Sequence, residues 1–192
     1  MLNNVLKALV LITIFFIINP PASKGERKFI IDGTVYLRVN IHYQEDKKDN
    51  ETSYASWIDP KDGHKILPVN TPVKIKKWGS QSFKIINTEN NTEIEFKYLI
   101  ERMKMSREEY LKYITSPSRI SLDDLSDIDR NGIKEGKAFI GMTKDCILMA
   151  LGYPATHRTP SLKSNTWVYW KDRSRTTAIT FDQNGIVARI SE

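Results

Sequence analysis

The C-terminal quarter of this chain restricts its fold more tightly than any other segment. Gly141-Met142-Thr143 predicts the start of a short helix, because Thr is a favoured N-cap, and Gly152-Tyr153-Pro154 predicts its end. Three strands are predicted after this helix: Trp167 to Lys171, Thr176 to Asp182 and Ile186 to Ile190. The Asn184-Gly185 pair between the last two strands is a strong hairpin signal. This order indicates a compact packing unit without a set of catalytic residues.

The N-terminus has the pattern of an export signal. Lys7 precedes an eleven-residue run, Ala8 to Ile18, which is apolar except for Thr13 and which Pro20 and Pro21 end. A run of this length fits the core of a signal peptide and is shorter than the ~20 residues that cross a bilayer as a helix. We therefore predict a signal peptide or N-terminal anchor over residues 1–24. The protein is expected to be exported, and to be periplasmic or associated with the envelope, where an uncleaved segment would retain it.

Charge and cysteine content narrow the classes of partner. The net charge is +6, and 29 basic residues are interspersed with 23 acidic ones. A basic surface can attract anionic lipid, nucleic acid or acidic polymers, but export would separate this protein from nucleic acid. The single cysteine, Cys146, cannot form an internal disulfide. Because no cysteine lies close behind the apolar run, a lipoprotein is not expected.

Residues 26–100 have the pattern of short strands separated by turns. Apolar residues alternate between Phe29 and Tyr43, with Asp32-Gly33 as a predicted turn, and Gln44 to Ser53 is polar and predicted to be a loop. Further turns are predicted at Asp59 to Gly63 and at Asn70 to Pro72. About five closely spaced strands favour a small antiparallel β-barrel. Their size and turn pattern resemble a bacterial SH3-type barrel.

A helical connector is predicted over residues 101–120. Its helix runs from Ser106 to Ile114, because Ser106 and Glu109 have the spacing of a capping box. Thr115 to Ser118 then interrupts the helical pattern with a proline. A second helix is predicted to begin at Ser121, at the start of the C-terminal domain.

The C-terminal domain, residues 121–192, resembles the SmpA/OmlA family, which has the BamE-like fold. The similarity runs from Ile133 to Ile190 and rests on the glycine-capped helix, on Trp167-Val168-Tyr169-Trp170 and on the final hairpin. The resemblance implies two helices packed on a three-stranded antiparallel sheet, and a scaffolding or binding role at the periplasmic face of the outer membrane. With the predicted barrel, the whole chain is expected to be an α+β protein.

The aromatic strand and the basic residues after it are the predicted contact surface. We expect Tyr169, Trp170, Arg173 and Arg175 to bind an envelope protein, peptidoglycan or an anionic lipid surface. Alternation places Trp167 and Tyr169 on one face of the strand and Val168 and Trp170 on the other, so at least one face belongs to the core. The sequence leaves the oligomeric state open.

Two other functions are compatible with the sequence. Cys146, His157 and Asp182 could form the nucleophile, base and orienting acid of a cell-wall hydrolase, because a helix start lowers a thiol pKa. The helix and sheet unit is also found in inhibitor proteins of the β-lactamase-inhibitor type. The predicted function is non-catalytic binding, and no cofactor is expected.

No metal site is predicted. Asp127 to Gly132 matches the first half of a calcium-binding loop, but Ala138 stands where the loop requires a bidentate acid. The three histidines, His42, His64 and His157, are far apart in the sequence and lack carboxylates at metal-binding spacing.

Overall fold

The structure is a computed structural model that describes residues 30–45, 50–55, 57–77 and 79–192. The predicted signal segment, residues 1–24, lies outside these ranges. Among the described residues, no helix combines the length and the apolar composition needed to cross a membrane.

The described part of the chain forms eleven strands and four helices. The strands are β1 Ile30–Leu37, β2 Ile41–Glu45, β3 Asn50–Ser53, β4 His64–Leu67, β5 Pro72–Lys77, β6 Ser82–Asn87, β7 Glu93–Lys97, β8 Thr115–Ser116, β9 Thr166–Trp170, β10 Thr176–Phe181 and β11 Val187–Ser191. The helices are α1 Ile100–Met103, α2 Arg107–Ile114, α3 Asp127–Glu135 and α4 Lys144–Leu151.

The larger sheet has eight strands and curls into a half-barrel, in the order β4-β2-β3-β7-β6-β5-β1-β8. All neighbouring strands are antiparallel except β3 and β7, which makes the sheet mixed. Phe83 and Phe96 lie opposite each other on β6 and β7, and their rings stack with centroids 4.7 Å apart. Both are fully buried, and Tyr110 of α2 packs against Phe96 with ring centroids 5.4 Å apart. This aromatic cluster is the centre of the first core.

The smaller sheet has three antiparallel strands in the order β11-β10-β9. Its inner face and α4 enclose a second core, in which Trp167 contacts Phe181 edge to face at a centroid distance of 4.7 Å. Thr143 caps the start of α4 by accepting from the Cys146 N–H, and α4 ends at Gly152, whose φ is +76°. Val69, from the turn before β5, packs into this core as well.

The predicted fold class is wrong. Most of the regular secondary structure of the described residues is sheet. The arrangement is not the BamE-like one of two helices packed on a sheet, because α3 and α4 are short and also contact the larger sheet. The predicted small SH3-like barrel is wrong too, because the larger sheet has eight strands and a parallel pair. Alternation predicts which face a strand buries, but it does not predict its neighbours.

Some predictions from local signals are confirmed and others are wrong. The capping box of Ser106 and Glu109 is present, and Asn184-Gly185 turns between β10 and β11. The predicted turn at Asp32-Gly33 instead lies inside β1, at a register shift in its pairing with β5. The loop predicted from Gln44 to Ser53 is strand at each of its described residues, because Gln44 and Glu45 end β2 and Asn50–Ser53 pairs with β7. The helix predicted from Ser121 begins at Asp127, after the N-cap Ser126.

Candidate binding cleft

A cleft of about 1320 Å³ lies where the two sheets meet. One wall is formed by β2, β3 and β7 of the larger sheet, and the other by the segment around Trp57, by residues 157–158 and by the end of β9. Residues 79–82, Leu99 and Arg102 line the remaining side. The aromatic and basic side chains that line it are Tyr43, Tyr54, Trp57, Lys97, Arg102, His157, Arg158, Trp170 and Arg173.

Backbone hydrogen bonds hold the segment that carries Trp57. Before it, the Tyr54 N–H donates to the Lys97 carbonyl on β7 over 2.9 Å. After it, the Ile58 N–H donates to the Trp170 carbonyl over 3.0 Å, and the Asp59 N–H donates to the Lys171 carbonyl over 3.1 Å. Trp57 is therefore carried by a bridge from the larger sheet to the end of the smaller one.

Three rings form a continuous row along the second wall. Tyr54 meets His157 edge to face with centroids 6.0 Å apart, and His157 stacks on Trp170 at 6.3 Å with planes 24° apart. All three residues are half-buried. Rings held by such contacts lose little further conformational freedom when a ligand binds, so this wall is preorganised.

Two arginines lie over the indole rings of the cleft. The guanidinium carbon of Arg173 is 5.5 Å from the centre of the Trp57 ring, and that of Arg158 is 5.4 Å from the centre of the Trp170 ring. Each pair has the geometry of a cation–π interaction. Both arginines remain exposed. Stacking limits the motion of a guanidinium while its N–H groups stay available to an anion.

His157 lies between these basic groups. Burial lowers the pKa of His157, and the charges of Arg102 and Arg158 lower it further. The Nδ1 atom of His157 is enclosed and has no hydrogen-bond partner among the described residues. At neutral pH the imidazole is therefore uncharged.

The cleft lining carries an excess of positive charge. Its basic residues are Lys97, Arg102, Arg158 and Arg173, and its acidic residues are Glu51 and Glu95. Lys97 and Glu51 form an ion pair of 2.6 Å with each other. Apart from this pair, the lining has three arginines and Glu95, so the excess positive charge lies with the arginines.

A buried polar cluster behind the cleft connects the two cores. The side chain of Asn40 donates to the carbonyls of Ile133 and Ala150 over 2.6 and 3.2 Å, and accepts from the Val69 N–H over 2.9 Å. His42 donates from Nε2 to the Ala150 carbonyl over 2.8 Å. Its Nδ1 lies 2.9 Å from Nε2 of His64, so His64 is the donor in that bond. Burial lowers the pKa of His42 to about 4.

The structure separates the four predicted contact residues. Trp170 and Arg173 line the cleft. Arg175 does not line it, and its Nε donates to the Asp172 carboxylate over 2.6 Å. The prediction that Tyr169 is a contact residue has to be corrected. Tyr169 is 1% exposed and its hydroxyl donates to the Gly152 carbonyl, so it belongs to the core and is inaccessible to a partner. Alternation explains the difference, since Trp170 lies on the opposite face of β9 from Tyr169.

The residues of the alternative hydrolase do not form a catalytic group. Cys146 is 1% exposed in the second core, and burial raises the pKa of its thiol to about 11. His157 lines the cleft, and the Asp182 carboxylate accepts from the N–H groups of Asn184 and Ile186 in the hairpin. In the described ranges no hydrogen bond joins any two of these three side chains.

The half-match to a calcium loop lies on α3, which begins at Asp127, and is therefore not a loop. Asp129 is buried and accepts from the Thr143 N–H over 2.9 Å, so this carboxylate connects the starts of α3 and α4. Across the described residues, no group of three or more His, Cys, Asp or Glu side chains could hold a metal ion.

Sequence reasoning missed the contributions of Trp57, Tyr54 and Arg102 to the cleft, whereas Arg158 could be grouped with Arg173 as a basic residue near the aromatic hairpin. The only available signal was a large aromatic residue, Trp57, in a segment rich in turn residues. Its arginine partner comes from a distant part of the sequence, so no local spacing could connect them. Comparison with protein families, with curated proteins and with solved structures finds no match to this chain.

Proposed function

We propose that this chain is a non-catalytic protein of the cell envelope that binds or scaffolds an envelope partner through the cleft between its two sheets. The observation that carries the proposal is the row of Tyr54, His157 and Trp170 next to stacked, exposed arginines. Half-buried aromatic residues and arginines are the side chains that most often dominate binding interfaces.

The envelope location rests on the sequence alone. The apolar run from Ala8 to Ile18 and the prolines after it are typical of an export signal. We propose that the partner takes part in outer-membrane assembly or in envelope maintenance. We assign this chain no specific role in β-barrel assembly. Nucleic acid is not a proposed partner, because an exported protein does not meet it.

A binding role is better supported than catalysis by Cys146. A protonated, buried thiol cannot reach a substrate without local unfolding of the second core. An inhibitor of the β-lactamase-inhibitor type would use the same cleft, and an inhibition assay with a purified β-lactamase distinguishes it from an envelope scaffold.

The proposal is tested by cross-linking in intact cells, followed by pull-down of the chain. We expect the Trp170→Ala, Arg173→Ala double variant to lose the captured partner while its melting temperature stays close to that of the wild type. A matched control is Arg189→Ala, because Arg189 is exposed on β11, away from the cleft, and should retain the partner. Equal capture by the wild type and the cleft variant would refute the proposed use of the cleft.

A further inference from the structure

The stacked arginines restrict which ligands can use the cleft. Trp57 has Arg173 over its ring, and Trp170 is in contact with both His157 and Arg158. A glycan platform requires an open indole face on which a sugar ring can lie. Here each indole has a guanidinium over its ring, and Trp170 also stacks on His157, so N–H donors lie beside both indoles.

These donors match carboxylates. A guanidinium has a rigid fork of N–H groups that binds a carboxylate through two parallel hydrogen bonds, and stacking on an indole holds that fork in place. The positive charges of Arg102 and Arg158 both act on the His157 imidazole, so both guanidinium groups lie near this ring of the aromatic row. An anionic group beside His157 would meet two guanidinium groups.

The shape of the site favours a chain over a surface. The arginines and the aromatic row line a concave cleft of about 1320 Å³ between two sheets. A bilayer is locally flat and would contact the rim of such a cleft, while a polypeptide segment can enter it. An extended segment of about eight residues spans roughly 26 Å.

We propose that the cleft binds an acidic peptide segment of its partner, with Asp or Glu carboxylates held by Arg102, Arg158 and Arg173. This inference rests on the proposed function and specifies its ligand. The aromatic row contacts the apolar parts of the same segment, and the ion pair of Lys97 and Glu51 lies on the opposite wall.

The test uses the full chain and a fluorescently labelled peptide of about eight residues in which Glu and Ala alternate. A second peptide with Gln in place of Glu has the same shape without the charge. We expect the Glu peptide to bind and the Gln peptide to bind at least about tenfold more weakly, because charge-assisted hydrogen bonds are the stronger ones. Raising the salt concentration should weaken only the binding of the Glu peptide.

Three variants locate the binding. Arg158→Gln and Arg173→Gln should each weaken the Glu peptide about tenfold, and Arg189→Gln should leave it unchanged. Near-ultraviolet circular dichroism confirms that each variant keeps its aromatic packing. As a second readout, the NMR titration of His157 should move to higher pH when the Glu peptide is bound, which a distant binding site would not cause.

Equal affinity for the Glu and Gln peptides would overturn the inference. So would binding of vesicles rich in phosphatidylglycerol, or of peptidoglycan fragments, in preference to the Glu peptide. In these cases capture of an envelope partner that depends on Trp170 would still support the proposed function. Capture that does not depend on Trp170 would refute both proposals. Binding of the Glu peptide without cellular capture would support only the cleft chemistry.

Discussion

Lowering the pH should destabilise this protein through His42, well above the pH at which most carboxylates titrate. His42 is 2% exposed, its Nε2 donates to Ala150, and its Nδ1 accepts from His64. A second proton would have to be placed on Nδ1, directly facing the N–H of His64. Burial and the neighbouring His64 both oppose this proton, and the pKa of His42 is about 4 in the folded protein against 6.5 when it is exposed.

The sign of the effect follows from proton uptake on unfolding. The pKa of His42 is lower in the folded state, so the unfolded chain binds more protons as the pH falls below 6.5. The stabilisation is complete above this value and decreases progressively towards pH 4. Linkage gives a loss of about 2 kcal/mol at about pH 5 and about 3 kcal/mol at about pH 4.

Other titratable groups also contribute to the dependence of stability on pH. These groups remain present when residue 42 is substituted. Burial lowers the pKa of His64 as well, against the attraction of Asp59, so His64 contributes in the same direction. Hydrogen bonds lower the pKa of Glu93 and Glu109, whose contributions are lost at more acidic pH. A comparison between the wild type and a variant at position 42 removes most of these contributions.

The variant is His42→Gln, whose amide can still donate to Ala150 and accept from His64. Urea denaturation followed by fluorescence should be measured between about pH 7.5 and about pH 5, where the wild type is expected to lose about 2 kcal/mol more than the variant. His157→Gln is the control, because His157 is half-buried and its removal should leave most of the slope. Parallel pH curves for the wild type and His42→Gln, or an NMR titration of His42 near its exposed value, would refute this reasoning.

Two further substitutions test the packing between the sheets and the alternative chemistry. Asn40→Ala should lower the free energy of unfolding by about 2 to 4 kcal/mol, because buried hydrogen-bonding groups of Val69 and Ile133 lose their partner. Chemical denaturation measures this loss. A loss similar to that of Asn131→Ala, a control at an exposed position, would contradict the prediction. Cys146→Ser should keep full partner capture while stability falls by about 1 to 2 kcal/mol, because a hydroxyl replaces a buried thiol. A hydrolytic activity that Cys146→Ser abolishes would contradict the non-catalytic function.

Several features encoded within a few adjacent residues could be predicted from the sequence, although the turn predicted at Asp32-Gly33 lies inside β1. The Ser106 capping box, the Thr143 cap and the Asn184-Gly185 hairpin each depend on contacts no more than a turn apart. Alternation in β9 likewise separates the buried Trp167 and Tyr169 from the accessible Trp170. Local hydrogen bonds and steric preferences determine these features wherever the segment lies in the fold.

Strand neighbours and the cleft depend on the tertiary structure. Asn50–Ser53 is polar and reads as a loop, yet it becomes a strand because β7 offers it a parallel partner. The cleft requires Trp57 and Arg173 to meet, and hydrogen bonds from Ile58 and Asp59 to the end of β9 bring them together. Every strand offers the same backbone hydrogen-bonding groups, so these groups do not select its neighbour. How the two cores pack decides the pairing, and the same packing places the arginines beside the aromatic row.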